Sequence, residues 1–180
     1  MKRTLQIIIL ATFVFLFNQS GQAGVKRALI IGIDNYAPTP QTPAAFVRGN
    51  VEADRLQNLK GCVNDALSMR NLVMARYGFQ AQNIDTLFNK QATHESILNS
   101  LNILISECQA QAGDVVLIYY AGHGSQVKNS KSNDGTGLDQ TIVPSDLWDI
   151  RDKELTVLFN QLLDKGVTLT LIFDCCHSGS

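Results

Sequence analysis

Val115-Val116-Leu117-Ile118-Tyr119-Tyr120-Ala121-Gly122-His123-Gly124 is the stretch from which the fold is read. An unbroken apolar, β-branched run ends abruptly in small residues and one chemically active side chain, His123. A second stretch repeats the design: Leu169-Thr170-Leu171-Ile172-Phe173-Asp174-Cys175-Cys176-His177-Ser178-Gly179. Short apolar runs bounded by turn residues read as buried strands. Two such strands present a His at one end and a Cys at another, which together can form a base–nucleophile pair.

Outward from these two strands, the pattern alternates. Lys26 to Ile33 reads as a buried strand, and the Pro-rich segment from Tyr36 to Asn58, with Pro38, Pro40 and Pro43, as a loop. Apolar residues at helical spacing from Cys62 to Tyr77 predict a helix closed by Gly78. Asn83 to Phe88 is a short strand. Thr93 is placed to cap a helix whose buried stripe is Ile97, Leu101, Leu104, Ile105 and Cys108, and His94 is expected to be exposed in its first turn. Residues 124–141 are polar and rich in Gly, Ser, Asn and Lys, which predicts an exposed loop before an extended piece from Thr141 to Pro144. Lys153 to Lys165 is amphipathic through Leu155, Leu158, Phe159, Leu162 and Leu163, with Gly166 ending it, and Val167 to Asp174 is the last strand. Strands alternating with helices predict an α/β domain with a mostly parallel sheet and right-handed crossovers. Ligands and catalytic groups in such sheets collect beyond the carboxyl ends of the strands, where His123 and Cys176 both fall.

With 180 residues, the chain is long enough for one domain with a substantial core. Hydrophobic residues at 45% and charged residues at 17% are ordinary for a globular protein, and a net charge of -1 gives no electrostatic reason for nucleic-acid or membrane-surface binding. The N-terminus departs from this. Lys2 and Arg3 precede an apolar run from Leu5 to Phe17, then a polar segment with Gly21 and Ala23 where signal peptidase reads. The run is shorter than the roughly 20 residues of a spanning helix. Residues 1–23 are therefore expected to be a cleaved secretory signal and 24–180 the mature domain, periplasmic or extracellular and without stable membrane insertion. Export permits disulfides. Cys62 with Cys108 is one conceivable bridge, and two buried free thiols is the other reading.

Cysteine attacks carbonyls as a thiolate, and a nearby imidazole both lowers its pKa and manages the proton. Side chains alternate along a strand, so Asp174 and Cys176 share a face while Cys175 turns to the other. Cys176 is the expected nucleophile and His123 the base, with backbone N–H groups near Gly124 and Cys176 as an oxyanion hole.

Four stretches of this chain resemble the metacaspases, caspase-like cysteine peptidases, of the bacterial secreted kind. They are Arg27-Ala28-Leu29-Ile30-Ile31-Gly32-Ile33 with Asn35-Tyr36; Leu59-Lys60-Gly61-Cys62-Val63-Asn64-Asp65-Ala66; Tyr120-Ala121-Gly122-His123-Gly124-Ser125-Gln126; and Asp174-Cys175-Cys176-His177-Ser178-Gly179. The separation 176 − 123 = 53 fits the caspase spacing of about 50 residues. The resemblance implies a caspase-like three-layer sandwich, a His123/Cys176 dyad, and protein or peptide substrates carrying basic residues. Asp65 and Asp174 would form an acidic pocket for Arg or Lys, lined by Cys62, because buried carboxylates need a cationic partner. Ala121 stands where the family often has Ser. No cofactor is required. For the calcium site of many metacaspases, Asp139 and Asp152 are the candidate ligands, but Lys153 occupies a place where another carboxylate is common, which argues against calcium activation. The family fold continues beyond Ser180, so the domain is expected to be partial, its last strand left at an edge. A caspase-like pseudoenzyme or binding module is then the alternative function. Thiol redox chemistry at Cys175-Cys176 is a third.

Overall fold

The computed structural model describes residues 24–45, 57–107, 113–129 and 137–176. The expected signal segment 1–23, together with Cys108 and His177, lies outside the described residues.

Four parallel strands form the main sheet: β1 (Lys26–Gly32), β2 (Ile84–Phe88), β3 (Val115–Ala121) and β7 (Thr168–Asp174), in the order β2-β1-β3-β7. Helix α1 (Cys62–Tyr77) joins β1 to β2, α2 (His94–Glu107) joins β2 to β3, and α3 (Asp152–Asp164) precedes β7. Alternation sorts the strand residues onto two faces. Ala28, Ile30, Leu117 and Tyr119 pack with Ala66 and Val73 of α1. Leu29, Ile31, Ile118 and Tyr120 pack with Ile97 and Leu101 of α2 and with Leu155 and Leu162 of α3. Burial on both faces accounts for the continuous apolar runs of β1 and β3. The result is three layers: α1, sheet, then α2 with α3.

Local chemistry ends the helices where the sequence indicates. The Thr93 hydroxyl accepts the Ser96 N–H at 3.2 Å, capping α2. Gly78, at φ 72°, closes α1 in the left-handed conformation. The start of α1 is capped from a distance, because the Asp34 carboxylate accepts the N–H groups of Cys62 (2.9 Å) and Val63 (3.4 Å). Gly32 lets this helix end approach the sheet. A Cβ there would lie 2.7 Å from the Cys62 carbonyl oxygen and 2.8 Å from the Ala66 Cβ.

Three expectations are corrected. Residues 124–141 are not simply an exposed loop: β4 (Gly124–Lys128) and β5 (Leu138–Ile142) pair antiparallel, and β6 (Ile150–Arg151) adds a third strand. The buried positions of this sheet include Ser125, Asp139 and Thr141, polar residues that a hydrophobic pattern does not reveal. His94 is buried rather than exposed. Its ring stacks on Trp148 with centroids 4.0 Å apart, and Nδ1 lies 3.1 Å from the Trp148 carbonyl oxygen. Leu163, placed in the buried stripe of α3, is exposed, while Leu155 and Leu162 carry that contact. At the sheet's outer side, β7 pairs with β3 alone among the described residues. Its Leu171, Phe173 and Cys175 line an open groove of about 240 Å³ with Leu155 and Phe159 of α3.

Candidate active site

β3 and β7 are parallel neighbours with Ala121 opposite Asp174. The Gly122 N–H donates to the Asp174 carbonyl at 3.3 Å, so the pairing runs past the strand ends. Extended by two residues past both strand ends, the same register sets His123 and Cys176 at one end of the sheet. Gly124 makes the approach sterically feasible, because a Cβ at that position would collide with the carbonyl oxygen of Cys176. The two residues expected to supply oxyanion donors, Gly124 and Cys176, therefore meet backbone to backbone. Cys176 is exposed. Cys175 turns the other way and packs with Phe159 and Phe173 against the α2–α3 core, as alternation along the strand requires. Cys62 and Cys176 carry free thiols.

His123 is held at several points. Its Nε2 lies 2.8 Å from the Gln57 carbonyl oxygen. A carbonyl only accepts, so Nε2 carries the proton, and in the neutral ring Nδ1 is left with the lone pair. The His123 N–H donates to the Tyr36 hydroxyl at 2.8 Å. The His123 carbonyl accepts from the Tyr120 hydroxyl at 2.7 Å and from the Val143 N–H at 3.0 Å. Tyr36 in turn donates to the Ile33 carbonyl at 3.1 Å, and its ring centroid lies 4.8 Å from the imidazole. Burial raises the pKa of both phenols well above their ordinary value, which keeps each hydroxyl protonated as a donor.

Beside this site, Cys62 on the first turn of α1 packs in one core cluster with Tyr119 of β3, and the charges of Asp65 and of Asp174, at the end of β7, act on both. Burial first, then the Asp174 and Asp65 charges, push Tyr119 up to about 12. Burial, followed by the Asp34, Asp65 and Asp174 charges, pushes the Cys62 thiol up to about 11. The three residues expected to line a pocket are thus brought together around Tyr119. One feature differs from expectation: Asp65 and Asp174 are solvent-exposed, not buried, and form an open acidic shelf.

Among the described residues, Asp139 and Asp152 are not arranged to share a cation. Asp139 is 1% exposed, and its oxygens accept from the Asn129 side-chain amide at 2.8 and 3.0 Å. It also pairs with the Lys153 ammonium and, at 3.8 Å, with the Arg151 guanidinium. The Lys153 hydrogen bond leads the causes that hold its carboxyl below the ordinary value. The Asp152 carboxylate instead accepts the Lys153 backbone N–H at 2.8 Å. Among the described residues, no group of three or more His, Cys, Asp or Glu side chains is arranged to hold a metal. A hard cation that wants six to eight oxygens is not matched by these residues.

Sequence reasoning missed the supports of His123. Tyr36 stands in the quoted Asn35-Tyr36 pair and opens the segment read as a loop, where nothing marks its phenol as a partner of His123. Tyr120 and Tyr119 are hidden inside an apolar strand, and Gln57 acts only through its backbone.

Residues 26–180 match the family model described as "Metacaspase, peptidase C14 domain". The chain is 33% identical over 174 residues to Metacaspase-1 of Schizosaccharomyces pombe, covering 92% of this chain and 36% of that protein. It is 36% identical over 160 residues to Metacaspase-7 of Arabidopsis thaliana, covering 86% of this chain and 35% of that protein. The chain thus spans about a third of the length of these curated relatives. The crystal structure of protein GSU0716 from Geobacter sulfurreducens superposes with a TM-score of 0.63 at 27% identity, covering 87% of this chain and 52% of that one.

Proposed function

The chain belongs to the metacaspase family of cysteine peptidases, and from that premise we propose that it is an endopeptidase that cuts after Arg or Lys with a His123/Cys176 dyad. The observation that carries this reading is the β3–β7 register, continued by the Gly122 N–H to Asp174 bond, with Gly124 lying against the Cys176 backbone.

With Nε2–H committed to the Gln57 carbonyl, Nδ1 of His123 takes the thiol proton of Cys176. The thiolate attacks the scissile carbonyl carbon, an S–C bond forms, and the carbonyl electron pair moves to oxygen beside the Gly124 and Cys176 N–H groups. The amine leaves with the proton from Nδ1, and water then hydrolyses the thioester. A cationic substrate side chain suits the exposed Asp65 and Asp174 carboxylates. An Arg- or Lys-containing reporter peptide should be cleaved and the Cys176→Ala protein should be inert. Full activity in Cys176→Ala sinks the proposal.

Among the described residues β7 pairs with β3 alone, which favours a second reading, a caspase-like binding module without catalysis. That reading requires reporter cleavage to be absent while a peptide rich in Arg and Lys still binds. Residues 1–23 we read as an export signal, which N-terminal sequencing of protein recovered from cells checks: a mature chain starting at Met1 contradicts it.

A further inference from the structure

We infer that Lys153 is a resident cation: with Arg151 it holds the buried Asp139 carboxylate where the family resemblance calls for calcium, so this chain orders its β4–β5 hairpin without the metal. The hairpin starts at Gly124, immediately after His123, and Asp139 sits within it opposite Val127. A carboxylate 1% exposed is unfavourable unless cations and hydrogen-bond donors surround it. Here the Lys153 ammonium reaches Oδ1, the Arg151 guanidinium approaches Oδ2, and the Asn129 amide touches both oxygens. Both cations come from the β6–α3 corner, so the pairing ties that corner to the hairpin.

The neighbouring acids among the described residues are committed elsewhere. Asp149 accepts from the Thr141 hydroxyl at 3.1 Å, Asp152 from the Lys153 N–H, and Glu154 from the Arg151 N–H at 3.0 Å. A calcium ion would have to displace an ammonium ion and break these bonds to collect its oxygens. The side chains of Lys153 and Arg151 are 51% and 43% exposed, so each keeps part of its hydration while neutralising Asp139.

The inference does not rest on peptidase activity, and thermal unfolding of the full chain tests it. The midpoint in EGTA should equal that in millimolar calcium chloride. Lys153→Met should lower it by about 2–4 °C, and by less than half as much in an Asp139→Asn background, because the partner charge is then gone. A wild-type midpoint raised by calcium, beyond the effect of sodium chloride at equal ionic strength, overturns the inference. So does an equal Lys153→Met loss in both backgrounds. If a variant fails to fold, the wild-type calcium titration decides alone.

Discussion

Replacing Tyr36 with Phe removes one oxygen and leaves the ring that packs on the imidazole. That oxygen accepts the His123 N–H at 2.8 Å and donates to the Ile33 carbonyl at 3.1 Å. Ile33 is fully buried and His123 half-buried, so the loss leaves an orphaned donor and deprives a buried carbonyl of a partner. An unsatisfied buried group costs about 1–3 kcal/mol. Partial relaxation of the two groups gives a net loss of about 2–3 kcal/mol, or a midpoint lower by about 5–10 °C in a chain of this size. Thermal unfolding measures the first effect, and hydrogen exchange at the His123 amide, which should quicken, measures the second. Turnover should fall by about tenfold or more as the base loses its anchor, with KM little changed. An unchanged midpoint together with unchanged amide protection refutes the reasoning.

Gly124→Ala drives a methyl group into the Cys176 carbonyl, so reporter cleavage should be lost while circular dichroism keeps its α/β signature; wild-type turnover contradicts the close approach. Asp174→Asn removes one of two carboxylates from the acidic shelf, and KM for an Arg reporter should rise about tenfold, the effect of losing one charge-assisted contact; an unchanged KM removes Asp174 from the pocket. Cys62 and Tyr119 have their pKa raised to about 11 and about 12 from ordinary values of 9.0 and 10.0. Between those limits the folded chain keeps protons that the unfolded chain releases, so stability should be flat below pH 9 and fall as pH rises from 9 to 12. A melting series from pH 8 to 12 checks this, and a midpoint that rises across the range contradicts it.

What the sequence revealed and what it hid divide along physical lines. β1 and β3 are buried on both faces, so their apolar runs are unbroken and legible, and β7 keeps a readable apolar run although it is half-exposed. Thr93 and Gly78 mark helix ends through local chemistry, and both positions act as read. The β4–β5–β6 sheet was hidden because its buried positions, Ser125, Asp139 and Thr141, are polar, and the partners of Asp139 and Thr141 are side chains that a hydrophobic pattern does not register. His94 was misread for the same reason, since only the fold brings Trp148 against it. At the candidate site, Cys175 packs against the α2–α3 core while Cys176 is exposed, the division that alternation along β7 leads one to expect. The exposure of Asp65 and Asp174 was not legible, because it depends on what covers the shelf rather than on the residues themselves. The grip on His123 was also out of reach, since it comes from the phenol oxygens of one loop tyrosine and one strand tyrosine and from a backbone carbonyl.

The most direct test of the His123/Cys176 pair is covalent labelling with an arginyl chloromethylketone, read by peptide mass spectrometry. The ketone's chloride is displaced by a thiolate held near an arginine pocket, so the adduct should form on Cys176, approach one per chain, and disappear in His123→Ala. No adduct on the wild-type chain, an adduct on Cys175, or labelling of Cys176 that persists in His123→Ala would contradict the dyad.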